Sequence, residues 1–216
     1  MNKKAIIFDL DGTLLNTLDD LRDSTNFALL KSGFKKRTND EIRCFVGNGI
    51  LKLVERAMPQ NSSKQETIQC YNDFCEHYKK NMENKTAPYD GIIEMLKSLY
   101  EAGYKMAIVT NKADFAAQQL CTKLFGNYIK TIVGSVDERP NKPAPDGVYY
   151  AMEQMKVTKE ETIFIGDSEV DIETANNAGI DSIGVLWGFR NSDDLAKVGV
   201  KLTVKTAKEL QKKLLF

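Results

Sequence analysis

The stretch that decides the fold is AIIFDLDGTLL, residues 5–15. Four consecutive apolar residues give way at once to Asp9 and Asp11, which flank a single leucine. An unbroken apolar run of this length is typical of a strand that helices cover on both faces of a parallel sheet. Ligands bind just outside the carboxyl ends of such strands, so the two acidic residues stand where a site is expected.

Four more short apolar runs have the same character as the first: Met106–Val109, Ile129–Val133, Thr162–Ile165 and Ile183–Leu186. Helical patterns separate them, such as residues 91–102, which end at Gly103, and residues 170–178, which end at Gly179. This alternation predicts an α/β fold with a doubly wound, mainly parallel sheet and a Rossmann-like core.

Residues 16–85 break the alternation, because apolar residues recur there at helical spacing and no clear strand is visible. Residues 18–29, 50–57 and 64–82 each predict a helix. A connection this long exceeds what one parallel crossover needs. We expect an inserted all-helical domain over 16–85, with a catalytic core formed by 1–15 and 86–216. The alternative is an elaborate crossover packed on the sheet.

The charge balance argues against a nucleic-acid partner. The chain has 216 residues, with 30 Lys and Arg, 30 Asp and Glu, and a pI near 6.6, whereas nucleic-acid binders carry a basic excess. No apolar run approaches the ~20 residues that span a bilayer, and four apolar residues near the start are too few for a signal peptide. We therefore expect a cytoplasmic protein with no membrane partner, as a monomer or homodimer.

The cysteines and the histidine give no sign of a metal or nucleophile site. The four cysteines form no C-x-x-C pair, and we expect reduced thiols that fill the core: Cys44, Cys70, Cys75 and Cys121. His77 is the one histidine, which excludes multi-histidine metal sites, and its polar helix predicts a solvent-facing ring. The G-x-S-x-G motif of serine hydrolases is absent from the sequence.

Polar residues follow the apolar strands or their connections at four places, and their chemistry is complementary. Asp9 and Asp167 bring two carboxylates to neighbouring strand ends, where like charges ~4 Å apart repel by about 4 kcal/mol at an effective dielectric near 20. Such a pair favours a divalent cation, and oxygen ligands favour Mg²⁺. Taken alone, Asp167 is more typical of a helix N-cap than of a metal ligand.

A phosphate group fits the remaining polar residues. Lys142 offers a positive charge for a phosphoryl oxygen, and Thr110 offers a hydroxyl with backbone amides after it. A carboxylate in such a site can act as a nucleophile and form an aspartyl-phosphate, which divides one displacement into two.

These segments together resemble motifs one to four of the haloacid dehalogenase superfamily: Asp9–Leu14, Thr110–Lys112, Lys142-Pro143, and Gly166–Ser168 with Asp171. The insert resembles the helical cap of that superfamily. Three further segments are similar to phosphoglycolate phosphatases: Val46–Gly49, Leu53–Ala57 and Pro88–Gly91. Two departures, Asn16-Thr17 and Gly147, lie outside the motif residues.

The resemblance implies a role for each motif residue. Asp9 is the nucleophile, and Asp11 is the acid that protonates the leaving oxygen and then the base that activates water. Family dehalogenases lack the second aspartate, so Asp11 favours phosphoryl transfer over carbon–halogen cleavage.

The same resemblance implies a phosphate site and a metal site. The phosphate ligands are Thr110, Asn111 through its backbone, and Lys142. The Mg²⁺ ligands are Asp9, the backbone carbonyl of Asp11, and Asp167. Asp171, one helical turn after Asp167, orients these groups without binding the ion itself.

Substrate choice is expected to depend on the insert. Two glycines flank Asn48 in the loop Gly47-Asn48-Gly49, which permits close backbone approach to a ligand, although the same residues suit an ordinary interhelical turn. Arg43 and Arg56 are near enough in sequence to pair with a substrate carboxylate. A small phosphorylated substrate similar to 2-phosphoglycolate is therefore predicted.

Three other functions use related residues. A sugar-phosphate mutase similar to β-phosphoglucomutase, or a pyrophosphatase, is possible on the same motifs. A phospho-acceptor signalling domain also combines Asp, Mg²⁺, Thr and Lys, but it carries its acceptor mid-chain and has no large insert. Trp187, after the fifth apolar run, either walls the site or packs in the core.

Overall fold

The computed structural model describes residues 3–216. Its strands are β1 (Ala5–Phe8), β2 (Leu15–Asn16), β3 (Ala87–Pro88), β4 (Lys105–Ala113), β5 (Thr131–Ser135), β6 (Thr162–Gly166), β7 (Asp181–Val185) and β8 (Thr203–Val204). Its helices are α1 (Leu18–Lys31), α2 (Asn39–Phe45), α3 (Ile50–Ala57), α4 (Lys64–Asn81), α5 (Ile92–Glu101), α6 (Asp114–Phe125), α7 (Asp146–Met155), α8 (Glu169–Ala178), α9 (Ser192–Lys197) and α10 (Ala207–Leu215).

Six strands form one sheet in the order β5-β4-β1-β6-β7-β8, and each neighbouring pair is parallel. The predicted doubly wound α/β fold is therefore confirmed. The first strand lies inside the sheet, with β4 on one side and β6 on the other. The chain thus winds in opposite directions from β1, and this reversal opens a crevice at the carboxyl ends of the central strands.

Strand register brings the polar segments to one level. Phe8, the last residue of β1, pairs with Ile108 on one side and Ile165 on the other. Asp9 is therefore one residue past this level, while Thr110 and Asp167 are two residues past it. Because neighbouring strands lie about 4.8 Å apart, these side chains converge at one edge of the sheet.

Two strands differ from the prediction in their bounds. β4 does not end at Val109 but continues through Thr110–Lys112 to Ala113, which pairs with Ser135 after an irregularity in register. β5 begins at Thr131 rather than Ile129, although Ile129 is buried. In both cases backbone pairing with the neighbouring strand sets the limits, and apolar character does not.

The core of this α/β unit is continuous and apolar. Residues of the central strands, including Ile7, Val109 and Phe164, are buried against Val148 of α7 and Ala175 of α8. Burial of side chains of this size is worth about 1.5–3 kcal/mol each. The sheet therefore presents a rigid platform to the polar residues at its edge.

The contact pattern divides the chain into two compact units. One comprises Met1–Leu15 and Pro88–Phe216, and the other comprises Asn16–Ala87. The second unit contains helices α1–α4, and two of its helices begin with capping boxes, Thr38 with Glu41 and Ser63 with Glu66. The short strands β2 and β3 pair with each other where the chain passes between the units.

Asp20 links the two ends of the helical unit by hydrogen bonds. Its carboxylate is 2% exposed and accepts hydrogen bonds from the Lys85 amide at 3.0 Å and the Thr86 amide at 2.8 Å. The Thr86 hydroxyl donates a third bond at 2.8 Å. The start of α1 thus fixes the segment that leaves the unit.

The structure bears on two sequence predictions about side-chain exposure. His77 is half-buried: its ring stacks on Phe27 with centroids 4.2 Å apart, and its Nδ1 lies 3.1 Å from the Ser24 hydroxyl. Helix α4, which carries His77, packs against α1. Cys44 is exposed and fills no core, whereas Cys70 and Cys121 are buried. All four cysteines are free thiols.

No helix among residues 3–216 combines the length and the apolar character that a membrane crossing requires.

Replacing Asp20 with alanine is expected to destabilise the helical unit by about 2 kcal/mol, because three hydrogen bonds to a buried charged acceptor are lost. Hydrogen exchange should show faster exchange of the Lys85 and Thr86 amides. Asp19→Ala is the matched control, since Asp19 is 46% exposed and pairs with Arg22 at the surface. Equal exchange rates in the two variants would contradict this role for Asp20.

Candidate active site

The edge of the sheet gathers most of the predicted site residues of the α/β unit. Asp9, Thr110, Lys142, Asp167 and Asp171 are all buried or nearly so. Asp9 follows β1, Thr110 lies in β4, Lys142 precedes α7, and Asp167 and Asp171 flank the start of α8. Five polar side chains removed from water at one edge form a site that needs compensation of charge.

Lys142 occupies the centre of this cluster. Its ammonium donates to Asp9 Oδ1 at 2.7 Å and to Asp171 Oδ1 at 2.6 Å. Burial by itself lowers the pKa of Lys142, but the attraction of Asp171 and Asp9 outweighs burial and holds the pKa above its usual range. The lysine is therefore a permanent positive charge beside the nucleophile predicted at Asp9.

Asp9 is bound by Lys142 through one carboxylate oxygen. The Lys142 ammonium donates to Oδ1. Burial, followed by repulsion from Asp171, raises the pKa of Asp9 to about 7 despite the attraction of Lys142. A buried carboxyl group whose charge is only partly compensated is suited to bind a cation or to attack an electrophile.

Asp167 is held between two loops. Its Oδ1 accepts from the Thr13 hydroxyl at 3.1 Å, and its Oδ2 accepts from the Phe189 amide at 2.7 Å. A Cβ atom at Gly12 or at Gly188 would lie 2.4 Å from Asp167 atoms, so both positions require glycine. Burial, with repulsion from Asp171 and Asp9, raises the pKa of Asp167 well above its ordinary value.

Asp171 joins the lysine to helix α8. Its Oδ1 binds Lys142, while its Oδ2 accepts from the Ser168 amide at 3.0 Å and the Ser168 hydroxyl at 2.7 Å. Both oxygens are thus engaged within the protein. This geometry fits the predicted orienting role, in which Asp171 does not bind the ion itself.

The acidic cluster carries more negative charge than its lysine neutralises. Ligand oxygens of Asp9, Asp167 and Asp171 all lie within 4.8 Å of one another, and Lys142 is the ammonium bound among them. A set of carboxylate oxygens without histidine or thiolate suits a hard cation such as Mg²⁺. The residues present therefore fit the predicted ion.

The Asn111 side chain holds the backbone of Lys142, a role that the sequence did not indicate. Its side-chain amide donates to the Lys142 carbonyl at 3.0 Å, and its side-chain oxygen accepts from the Lys142 amide at 2.8 Å. This reciprocal pair fixes the backbone that carries the lysine. The Asn111 side chain is engaged in this way, so the prediction of phosphate binding concerns its backbone, as expected from the resemblance.

Thr110 is oriented by its own strand. Its hydroxyl oxygen accepts from the Lys112 amide at 3.2 Å, which leaves the hydroxyl proton to point elsewhere. Trp187 also has a defined partner, because its indole nitrogen donates to the Thr13 carbonyl at 3.0 Å. Trp187 thus braces the loop that follows β1.

Sequence reasoning missed Lys112. Its ammonium lies 2.9 Å and 3.2 Å from the two carboxylate oxygens of Asp11. The Lys112 side chain is only 2% exposed. The available signal was a lysine directly after the Thr-Asn pair, but only the register of β4 shows that it reaches the loop after β1.

The predicted specificity loop belongs to the helical unit. Gly47 and Gly49 have positive φ angles of 128° and 84°. Arg56 donates to the Asn48 side-chain oxygen at 2.8 Å and to the Phe45 carbonyl at 2.7 Å. The proposed carboxylate partner Arg56 therefore braces the loop itself.

Comparison with known proteins gives a family match and several similar relatives. Residues 6–185 match the family model described as haloacid dehalogenase-like hydrolase. The chain is 34% identical over 215 residues to a phosphoglycolate phosphatase of Colwellia psychrerythraea, covering 96% of this chain and 95% of the relative. A phosphoglycolate phosphatase of Vibrio vulnificus is 32% identical over 200 residues, covering 89% and 88%.

A solved structure gives the same result. The fold is similar to that of a Lactobacillus delbrueckii subsp. bulgaricus protein assigned as a phosphoglycolate phosphatase, with a TM-score of 0.95, 32% identity, and coverage of 100% and 99%. The match spans the sheet, the site segments and the inserted helices. The chain therefore belongs to the haloacid dehalogenase-like hydrolase family.

Proposed function

We propose that the protein is a Mg²⁺-dependent phosphatase that hydrolyses a small phosphate monoester through an aspartyl-phosphate on Asp9. The observation that carries the proposal is the geometry around Asp9, whose Oδ1 is held by Lys142 while carboxylate oxygens of Asp9, Asp167 and Asp171 lie within 4.8 Å of one another. The family and its phosphatase relatives support the reaction class, a phosphoric monoester hydrolase.

The cation would be held by Asp9, the Asp11 carbonyl and Asp167. When bound, it neutralises the excess charge of the cluster and polarises a phosphoryl oxygen. The chain supplies the other phosphate contacts through the Lys142 ammonium and the Thr110 hydroxyl.

The reaction divides into two displacements. Asp9 Oδ2 attacks phosphorus, the bond from phosphorus to the ester oxygen breaks, and Asp11 gives its proton to that oxygen. In the second step the water oxygen attacks phosphorus, the bond from phosphorus to the Asp9 oxygen breaks, and Asp11, now a carboxylate, takes a proton from the water. Inorganic phosphate leaves, Asp9 is again a carboxylate, and Asp11 again carries its proton.

The relatives favour hydrolysis over the rival outcomes. Curated relatives matched along most of the chain are named phosphoglycolate phosphatases, which supports a phosphatase over a mutase or a pyrophosphatase. The helical unit 16–87 is proposed as the cap that selects the substrate, and the predicted substrate is a short phosphorylated acid such as 2-phosphoglycolate.

Asp9→Asn is expected to abolish turnover, by about 10³-fold or more, because an amide is a poor nucleophile. The fold should survive, since the change is nearly isosteric. Acid quenching with labelled substrate should trap phosphate on wild-type Asp9 and not on the variant. Asp146→Asn, on the exposed start of α7, is the control. Label on another residue would refute the assignment.

Asp167→Asn is expected to have opposite effects on stability without and with Mg²⁺. Because the folded-state pKa values of Asp9 and Asp167 are raised, the metal-free fold loses stability as pH rises from about 4 towards 7 and beyond. Removing one carboxylate should raise the melting temperature of metal-free protein at pH 8 by about 2–4 °C. At pH 5 this rise in melting temperature should be smaller.

In the same variant, added Mg²⁺ should no longer raise the melting temperature, whereas it should stabilise the wild type. Asp146→Asn should behave as the wild type in both measurements. A wild-type melting temperature that is insensitive to Mg²⁺ would contradict the site.

Asn48→Phe should lower kcat/KM for 2-phosphoglycolate by about tenfold or more while changing p-nitrophenyl phosphate turnover little, because only the former needs selection beyond its phosphoryl group. Asn61→Phe, at an exposed position of the same unit, is the control. A tenfold preference of the wild type for a hexose phosphate or pyrophosphate would overturn the substrate assignment and leave the mechanism intact.

A further inference from the structure

We infer that Lys112 is the positioning residue for Asp11, and that it holds the Asp11 carboxyl group where the leaving oxygen is protonated. The inference rests on the proposed role of Asp11 as acid and base. Lys112 binds both oxygens of Asp11 at 2.9 Å and 3.2 Å, in a pair whose side chains are 2% and 15% exposed.

The two partners differ in how firmly the backbone holds them. Lys112 lies within β4, and the strand continues to Ala113, which pairs with Ser135 of β5. Asp11 lies in the loop after β1, where its own backbone support is an isolated bridge to Leu15. The sheet therefore fixes the ammonium, and the ammonium fixes a carboxylate that the loop alone would leave mobile.

Charge explains why this tether is needed. Asp11 lies two residues after Asp9, and two carboxylates this close repel each other. Without a cation of its own, the Asp11 carboxylate would be repelled from Asp9 and would turn away from the site. Lys142 cannot serve both, because its ammonium is already bound to Asp9 and Asp171. Each catalytic carboxylate thus has its own lysine.

A merely structural or phosphate-binding lysine would behave differently from a positioning lysine. Loss of a phosphate ligand raises KM and affects every phosphate ester alike. Loss of Asp11 positioning lowers kcat, and it does so most for esters whose leaving group needs a proton. An alkyl phosphate such as 2-phosphoglycolate needs that proton, whereas the nitrophenolate leaving group does not.

The test is a double-mutant cycle with Lys112→Met and Asp11→Asn, measured on 2-phosphoglycolate and p-nitrophenyl phosphate. Lys112→Met should lower kcat for 2-phosphoglycolate about tenfold more than for p-nitrophenyl phosphate, as Asp11→Asn does, with KM nearly unchanged. In the Asp11→Asn background, Lys112→Met should add no further loss. Lys112→Arg should recover part of the activity.

Controls separate folding from positioning. Lys105→Met removes a lysine from the other end of β4, which donates to the Met155 carbonyl at 2.7 Å, and it should leave the substrate ratio unchanged. If Lys112→Met melts below the assay temperature, Lys112→Gln replaces it, because glutamine keeps a donor without the charge. Lys112→Gln should show the substrate ratio expected of Lys112→Met, with the larger loss on 2-phosphoglycolate.

The outcomes separate the role of Asp11 from the role of Lys112. If Asp11→Asn affects both substrates equally, the proposed role of Asp11 as leaving-group acid is wrong, and the inference falls with it. Two outcomes overturn the role of Lys112 alone, provided that Asp11→Asn shows the expected difference between the substrates. One is a double variant whose loss of kcat is the product of the two single losses. The other is a Lys112→Met variant in which only KM rises.

Discussion

The structure of this site depends on one buried ammonium group. Lys142 bonds to Asp9 and Asp171 at 2.7 Å and 2.6 Å in a region almost closed to water. Removing such ions from water costs several kcal/mol each, so they persist only when paired and hydrogen-bonded. Asp171 caps α8 through Ser168, and Asn111 clamps the Lys142 backbone to β4. The ammonium thus ties α8, β1 and β4 into one rigid arrangement.

This cluster carries more negative charge than positive charge. Three carboxylates share the site with one lysine, and the pKa of Asp9 is raised to about 7 by burial and by Asp171. A divalent cation held by these carboxylates would offset the excess negative charge and reduce the repulsion among them.

The second lysine suits the different roles proposed for the two aspartates at this sheet edge. Asp9 is held rigidly beside Lys142, whereas Asp11 lies two residues on, in a loop, and is bound by Lys112 from β4. A nucleophile needs a fixed approach to phosphorus, while an acid and base must reach the leaving oxygen and then water. A loop tethered by an ion pair suits the second task better than a strand does.

The sequence by itself determined the fold class, the order of the strands along the chain, and the identity of the charged residues, because apolar runs and polar strand ends are local patterns. The motif resemblance assigned Asp9, Asp11, Thr110, Lys142 and Asp167 before any geometry was known. The break in the strand–helix alternation predicted an insert over 16–85, and one compact unit of the structure spans Asn16–Ala87.

What only the tertiary structure decided is which charges meet. Lys112 and Asp11 are 101 residues apart, and Asn111 and Lys142 are 31 apart. The stacking of His77 on Phe27, the engagement of Arg56 by its own loop, and the continuation of β4 through Thr110–Lys112 were equally invisible. Each is set by strand register or helix packing between distant segments, and no local pattern encodes the distance between two side chains that the fold brings together.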